Sequence, residues 1–174
     1  IDLNGTDYIK IVNGEIIVNN IDSPTYYVNS ISGEQTVSAV DTWYHVVLTT
    51  ETGIDVNDMD IGRLESDINF MDGMIDQVAL WNIAFNINQI RSLYIQGRTF
   101  NISNFASGKL KGYWPFENNA SDGSGNSHDG TNNGATITYT VTVGDANDQT
   151  PVYQAADADD AITVNENVGT GSID

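Results

Sequence analysis

FMDGMIDQVALWN, residues Phe70 to Asn82, is the stretch that decides the fold. It opens on a turn signal, Asp72-Gly73, and continues into a run of β-formers with one acid, Asp76, set inside it. The run divides into two alternating rows. Met74, Asp76, Val78 and Leu80 form one; Ile75, Gln77, Ala79 and Trp81 form the other. Bulky apolar residues occur in both, which predicts a strand covered on both faces, the central strand of a two-sheet β-sandwich. An acid inside such a strand is costly to bury without compensation, so Asp76 should meet a cation or several N–H donors. Two readings stay open for it: a strand-end Asp capping a neighbouring loop, or a calcium ligand.

Outward from this stretch the chain reads as short strands and turns. Tyr8–Val12 and Glu15–Val18 flank Asn13-Gly14, a strong hairpin signal. Thr25–Val28 is a further short strand, and Trp43–Thr50 forms the core of another. Asn86 to Gln96 is the one convincing helix. Asn86 can cap it, Gln89 completes a capping box, Ile87, Ile90, Leu93 and Tyr94 make an apolar stripe, and Gly97 supplies the stop. Leu110–Phe116 is a strand in which Pro115 argues for an edge or a bulge. Ala135–Val143 is a candidate closing strand.

The chain has 174 residues, 24 acids against 6 bases, and a formal net charge of -18. Such a surface repels nucleic acid and anionic membranes, and bound divalent cations would relieve its self-repulsion. No apolar run approaches membrane-spanning length, so membrane insertion is not expected. The absence of Cys excludes disulfides and thiolate zinc sites. Composition shifts at Gly144. Residues 1–144 are expected to form one domain. Residues 145–174 are expected to be an acidic linker and the first strand of a second, incomplete domain, so the sequence reads as an excerpt of a longer protein.

Several stretches in this order resemble the laminin-G-like jelly roll of the concanavalin-A-like lectin and glucanase superfamily. They are Trp43-Tyr-His45-Val-Val-Leu, Ile61-Gly62-Arg63, the Phe70–Asn82 run with Asp76 and Trp81, the helix NINQIRSLY, and Gly112-Tyr-Trp114-x-Phe116. Asp122-x-Ser-Gly125-Asn126 and Gly130-Thr131 complete the set. The resemblance implies an all-β fold, a two-sheet antiparallel jelly-roll β-sandwich with one short helix. One departure is the missing hairpin after the His45 strand, where only Glu51 to Asp60 precedes Ile61. The tail from Ala158 to Gly171 resembles the opening of bacterial cadherin-like tandem repeats.

Retaining glucanases of this superfamily carry a Glu-x-Asp-x-x-Glu strand motif and use two carboxylates. Aligned on Asp76, the flanking positions are Met74 and Ala79, so no catalytic residue is expected and the chain reads as no enzyme. The resemblance implies Ca2+ as the cofactor. Candidate ligands are Asp76, the turn residues Asp122 and Asn126, and the linker residues Asp145, Asn147 and Asp148, which resemble inter-domain clamps. For each cluster the alternative is an Asx-turn in solvent. Asp55 to Asp60 is also rich in acids but lacks the Gly and closing Glu of an EF-hand loop. His45 reads as a packed strand residue. Trp43, Trp81 and Trp114 read as core rather than sugar platforms. Sugar contacts are expected from Tyr26, Tyr27, Asn118 and Asn119.

The expected function is a non-catalytic carbohydrate-binding or adhesion module, calcium-stabilised, in a large bacterial secreted or cell-surface protein. Its partners would be a glycan or cell-surface partner and neighbouring domains of the same chain. The alternatives are a ligand-free spacer in an adhesin array and an accessory domain of a secreted polysaccharide-degrading enzyme.

Overall fold

The Asn13-Gly14 pair forms the tight turn its chemistry demands. Both residues take left-handed backbone, φ 51 and 77, and Val12 pairs with Glu15 across them. Strand β1 (Tyr8–Val12) and β2 (Glu15–Asn19) thereby make an antiparallel hairpin in full register, from Tyr8 opposite Asn19 onward. This geometry comes from a computed structural model that describes residues 1–64, 70–97 and 100–137.

Strand β3 (Thr25–Val28) lies between β4 (Ile31–Ser32) and β5 (Val46–Thr49), antiparallel to both. Strand β6 (Val78–Trp81) pairs antiparallel with β7 (Leu110–Trp114), with a register shift between Leu80 and Trp81. Helix α1 (Ile87–Gln96) is the one α-helix among the described residues. Its start is the capping box read from sequence: the Asn86 side chain accepts from the Asn88 and Gln89 N–H groups, and the Asn86 N–H donates to Gln89 Oε1. The regular elements among the described residues are mostly strands, in small antiparallel sheets with one short helix, as expected of an all-β protein. Contacts divide the chain between Tyr139 and Thr140, so every described residue belongs to the first unit. The candidate closing strand lies outside the described residues from Thr138 onward, as do the residues expected to form a linker and the start of a second domain.

Four local expectations are corrected. The Phe70–Asn82 run is extended strand only from Val78, because Gln77 takes φ 51 and breaks the alternation there. Asp76 therefore stands before the strand, half-buried, rather than within it. The His45-bearing strand begins at Val46. Strand β7 ends at Trp114, since Pro115 lacks an N–H and Phe116 takes φ 57. Trp43 is 43% exposed and lies outside the core.

The core is gathered around α1 and β7. Ile90 and Leu93 of the helix pack with Phe85, Ile102, Leu110 and Tyr113, and Tyr27, Val47 and Ala79 close over them. The ring of Phe85 meets Trp81 at 4.9 Å and Phe105 at 5.3 Å, both edge-on. Trp81 also donates its indole N–H to the Phe105 carbonyl at 3.0 Å. Tyr94, the fourth member of the helix stripe, is 42% exposed and faces the His45 ring at 5.9 Å.

Candidate functional site

The loop that follows β7 is closed by one side chain, Asp122. Its Oδ1 accepts the Tyr113 N–H at 3.0 Å and the Ser124 N–H at 2.8 Å. Its Oδ2 accepts the Ser124 hydroxyl at 2.8 Å and the His128 N–H at 3.0 Å. Burial works to raise the pKa of this carboxyl. The donors from Ser124, His128 and Tyr113 outweigh it and bring the value down to about 2. The surrounding backbone completes the lock. Gly123 N–H donates to the Tyr113 carbonyl at 2.7 Å, and Asp122 N–H donates to Asp129 Oδ1 at 2.8 Å. The Trp114 indole N–H donates to the His128 carbonyl at 2.9 Å. Asn126 turns its amide nitrogen inward, onto the Leu110 and Lys111 carbonyls of β7.

This arrangement leaves a cation few free oxygens at Asp122. A carboxylate offers about four acceptor positions, and four protein donors take them here. A calcium ion would need the same lone pairs and several further oxygens. Asn126 meanwhile presents a donor, not an acceptor, to β7. Asp122 and Asn126 do not fit a calcium ion in this conformation. Among the described residues, no group of three or more His, Cys, Asp or Glu gathers as a metal site. The acidic turn at Asp55–Asp60 is likewise drawn into structure. Asp60 pairs with Arg63 at 2.9 Å and exchanges backbone hydrogen bonds with Asp2. The linker candidates Asp145, Asn147 and Asp148 lie outside the described residues.

The four candidate sugar contacts fall in two places. Tyr26 and Tyr27 lie on β3, and Tyr27 packs against the core. Asn118 and Asn119 are exposed in the loop, bonded to each other at 3.1 Å, with Asn119 also accepting the Ser121 N–H.

Beside the closed loop lies a cleft that the sequence did not announce. It measures about 230 Å³ and is lined by Gln77, Asn101, Ser103, Tyr113, Pro115 and Glu117. Its residues come from the approach to β6, a 3₁₀ turn (Ile102–Asn104) and the end of β7. The Tyr113 phenol has its pKa raised, first by burial and then by the negative charges of Glu117 and Asp76, while a hydrogen bond with the Ile102 backbone opposes the rise. In sequence Tyr113 and Pro115 read only as strand. A cleft built from three separated segments leaves no linear signature.

No protein-family model matches this chain, and no curated protein and no solved structure matches it. Function is therefore argued from the site. No helix among the described residues is long and apolar enough to cross a membrane.

Proposed function

We propose that the chain is a non-catalytic carbohydrate-binding or adhesion module of a bacterial secreted or cell-surface protein. In this reading residues 1–144 are a laminin-G-like jelly-roll β-sandwich, and the acidic segment beyond leads into a cadherin-like repeat. The observation that supports it best is the use made of Asp122. Its carboxylate is spent on holding a loop against β7, which presents Asn118 and Asn119 to solvent on a fixed base. A rigid loop with amide side chains at its surface suits recognition of hydroxyl-rich ligands. Calcium enters this reading at Asp145, Asn147 and Asp148, where sequence spacing resembles an inter-domain clamp, and not at Asp122.

The test is a glycan array probed with the labelled chain, with and without EDTA. Binding to a defined set of glycans is the expected outcome. A blank array in calcium-containing buffer, with no weaker binding in solution either, would leave the ligand-free spacer as the better account.

A further inference from the structure

The cleft between the β6 approach and the end of β7 has a chemistry of its own. Gln77 and Asn101 bring carboxamides, Ser103 a hydroxyl and Glu117 a carboxylate, around the Tyr113 ring and Pro115. Among the described residues it has no Lys or Arg in its lining, and Asp76 adds negative charge close to the Tyr113 phenol. Anionic ligands are therefore repelled. A calcium ion wants six to eight oxygens with several carboxylates, whereas this lining has one carboxylate and two apolar surfaces. Amides and a carboxylate that can both serve hydroxyls, beside Pro115 and the small part of the Tyr113 ring left exposed by the core, match a neutral polyhydroxylated ring. The volume of about 230 Å³ is below the roughly 300–1,000 Å³ of clefts that take drug-sized ligands, so it suits a single ring.

Backbone strain points to the same place. Most non-glycine residues with left-handed backbone are Asn, Asp or Ser in turns; the exceptions among the described residues are Gln77, Ala106 and Phe116. Gln77 lines the cleft at φ 51, and Phe116 at φ 57 sits between its liners Pro115 and Glu117. Strained positions of this kind persist where surrounding structure enforces them and concentrate at ligand sites. The tight packing of Gly123 fits the same picture: a Cβ there would stand 3.0 Å from the Tyr113 ring.

We propose that this cleft is a subsite for one neutral pyranose ring, with Glu117 accepting hydrogen bonds from its hydroxyls and Gln77, Asn101 and Ser103 fixing its orientation. The proposal rests on the carbohydrate-binding reading above and names where that binding occurs.

The experiment is a ¹⁵N NMR titration of the full chain with the methyl pyranosides of glucose, galactose and mannose, with D-glucuronate and calcium chloride as controls. At least one neutral pyranoside should move the side-chain amide signals of Gln77 and Asn101 and the Gly123 N–H together, along one millimolar binding curve. Glucuronate should bind about tenfold more weakly. Glu117→Gln should weaken the sugar at least about threefold. Glu117 is exposed, so the variant should fold, and its spectrum reports whether it does. Ser103→Ala is the second variant and should weaken binding in the same direction. The proposal is overturned if no neutral pyranoside moves these signals, if glucuronate binds as tightly as the neutral sugar, if calcium moves them as well, or if both variants bind like the parent chain. Array binding that leaves these signals unmoved removes the cleft and keeps the wider reading. Moved signals with a blank array keep the cleft and the carbohydrate-binding reading, at a millimolar affinity too weak for an array to register.

Discussion

Trp114 lies over Gly112 so closely that a Cβ on Gly112 would stand 2.4 Å from the indole Cη2. The two residues share a face of β7, and the indole is held from the other side by its N–H bond to the His128 carbonyl. Glycine is required here by contact, not by backbone angle. Gly112→Ala should push the indole away, strain the His128 bond and cost about 1–3 kcal/mol. Gly108→Ala, where a Cβ meets nothing within 4 Å, should change little. Urea denaturation followed by tryptophan fluorescence measures both; equal midpoints would show that the indole moves freely.

Asp122→Asn replaces one acceptor oxygen with an NH₂ group. Whichever way the amide turns, it faces donors that need an acceptor: Ser124 Oγ–H and His128 N–H on one side, Tyr113 and Ser124 N–H on the other. The expected cost is about 1–3 kcal/mol. Acid should expose the same dependence. The folded value is about 2 against an unfolded 3.8, so the native state holds its carboxylate where the unfolded state has begun to take a proton. This stabilisation is complete above about pH 5 and is lost as pH falls through 3.8 toward 2. Acid titration of parent and variant should show a shallower fall for the variant in that window.

His45 works at milder pH. Burial lowers its pKa below 6.5, and its Nδ1 is buried with no hydrogen-bond partner among the described residues. Between the lowered folded value and 6.5 the unfolded chain binds the proton better, so stability rises with pH across that window and falls as the solution is acidified. His45→Phe keeps a ring against Tyr94 and removes the unsatisfied nitrogen. The variant should be as stable as the parent at pH 8 or more so, and its melting midpoint should respond less to acidification from pH 7 to 5.

The helix cap offers a simpler measure. Asn86→Ala removes the acceptor for two N–H groups at the start of α1, at a cost of about 1 kcal/mol. Gln89→Ala removes only the reciprocal bond and should cost less. Both act on the turn that aims Ile90 and Leu93 into the core. Thermal melts of the two variants should rank in that order.

Calcium gives a test that separates two regions of the chain. If calcium raises the melting midpoint, Asp122→Asn should retain that rise, since the Asp122 oxygens are already taken by protein donors. Replacing Asp145 and Asp148 with Asn should abolish it. A rise lost in Asp122→Asn and kept in the linker variant would return the metal to the loop.

What the sequence determined by itself was local. Asn13-Gly14 specifies its hairpin because two adjacent residues must take positive φ, and Asn86 with Gln89 specifies a helix start because the bonds span three residues. The period-2 run at Phe70–Asn82 told truly of a strand but not of its extent, since nothing in its pattern marks Gln77 for left-handed backbone. The role of Asp122 was equally hidden. An Asp-Gly-Ser-Gly-Asn turn has the composition of an ion site and of a hydrogen-bonded loop alike. Only the folded arrangement brings Tyr113 and His128 to the same carboxylate. The cleft lay furthest from view, because Gln77, Ser103 and Glu117 meet only when the segments around β6 and β7 and the intervening 3₁₀ turn pack together. Short-range backbone chemistry is written in neighbouring residues; the partners of a half-buried carboxylate and the walls of a cleft are set by which distant segments the core brings into contact.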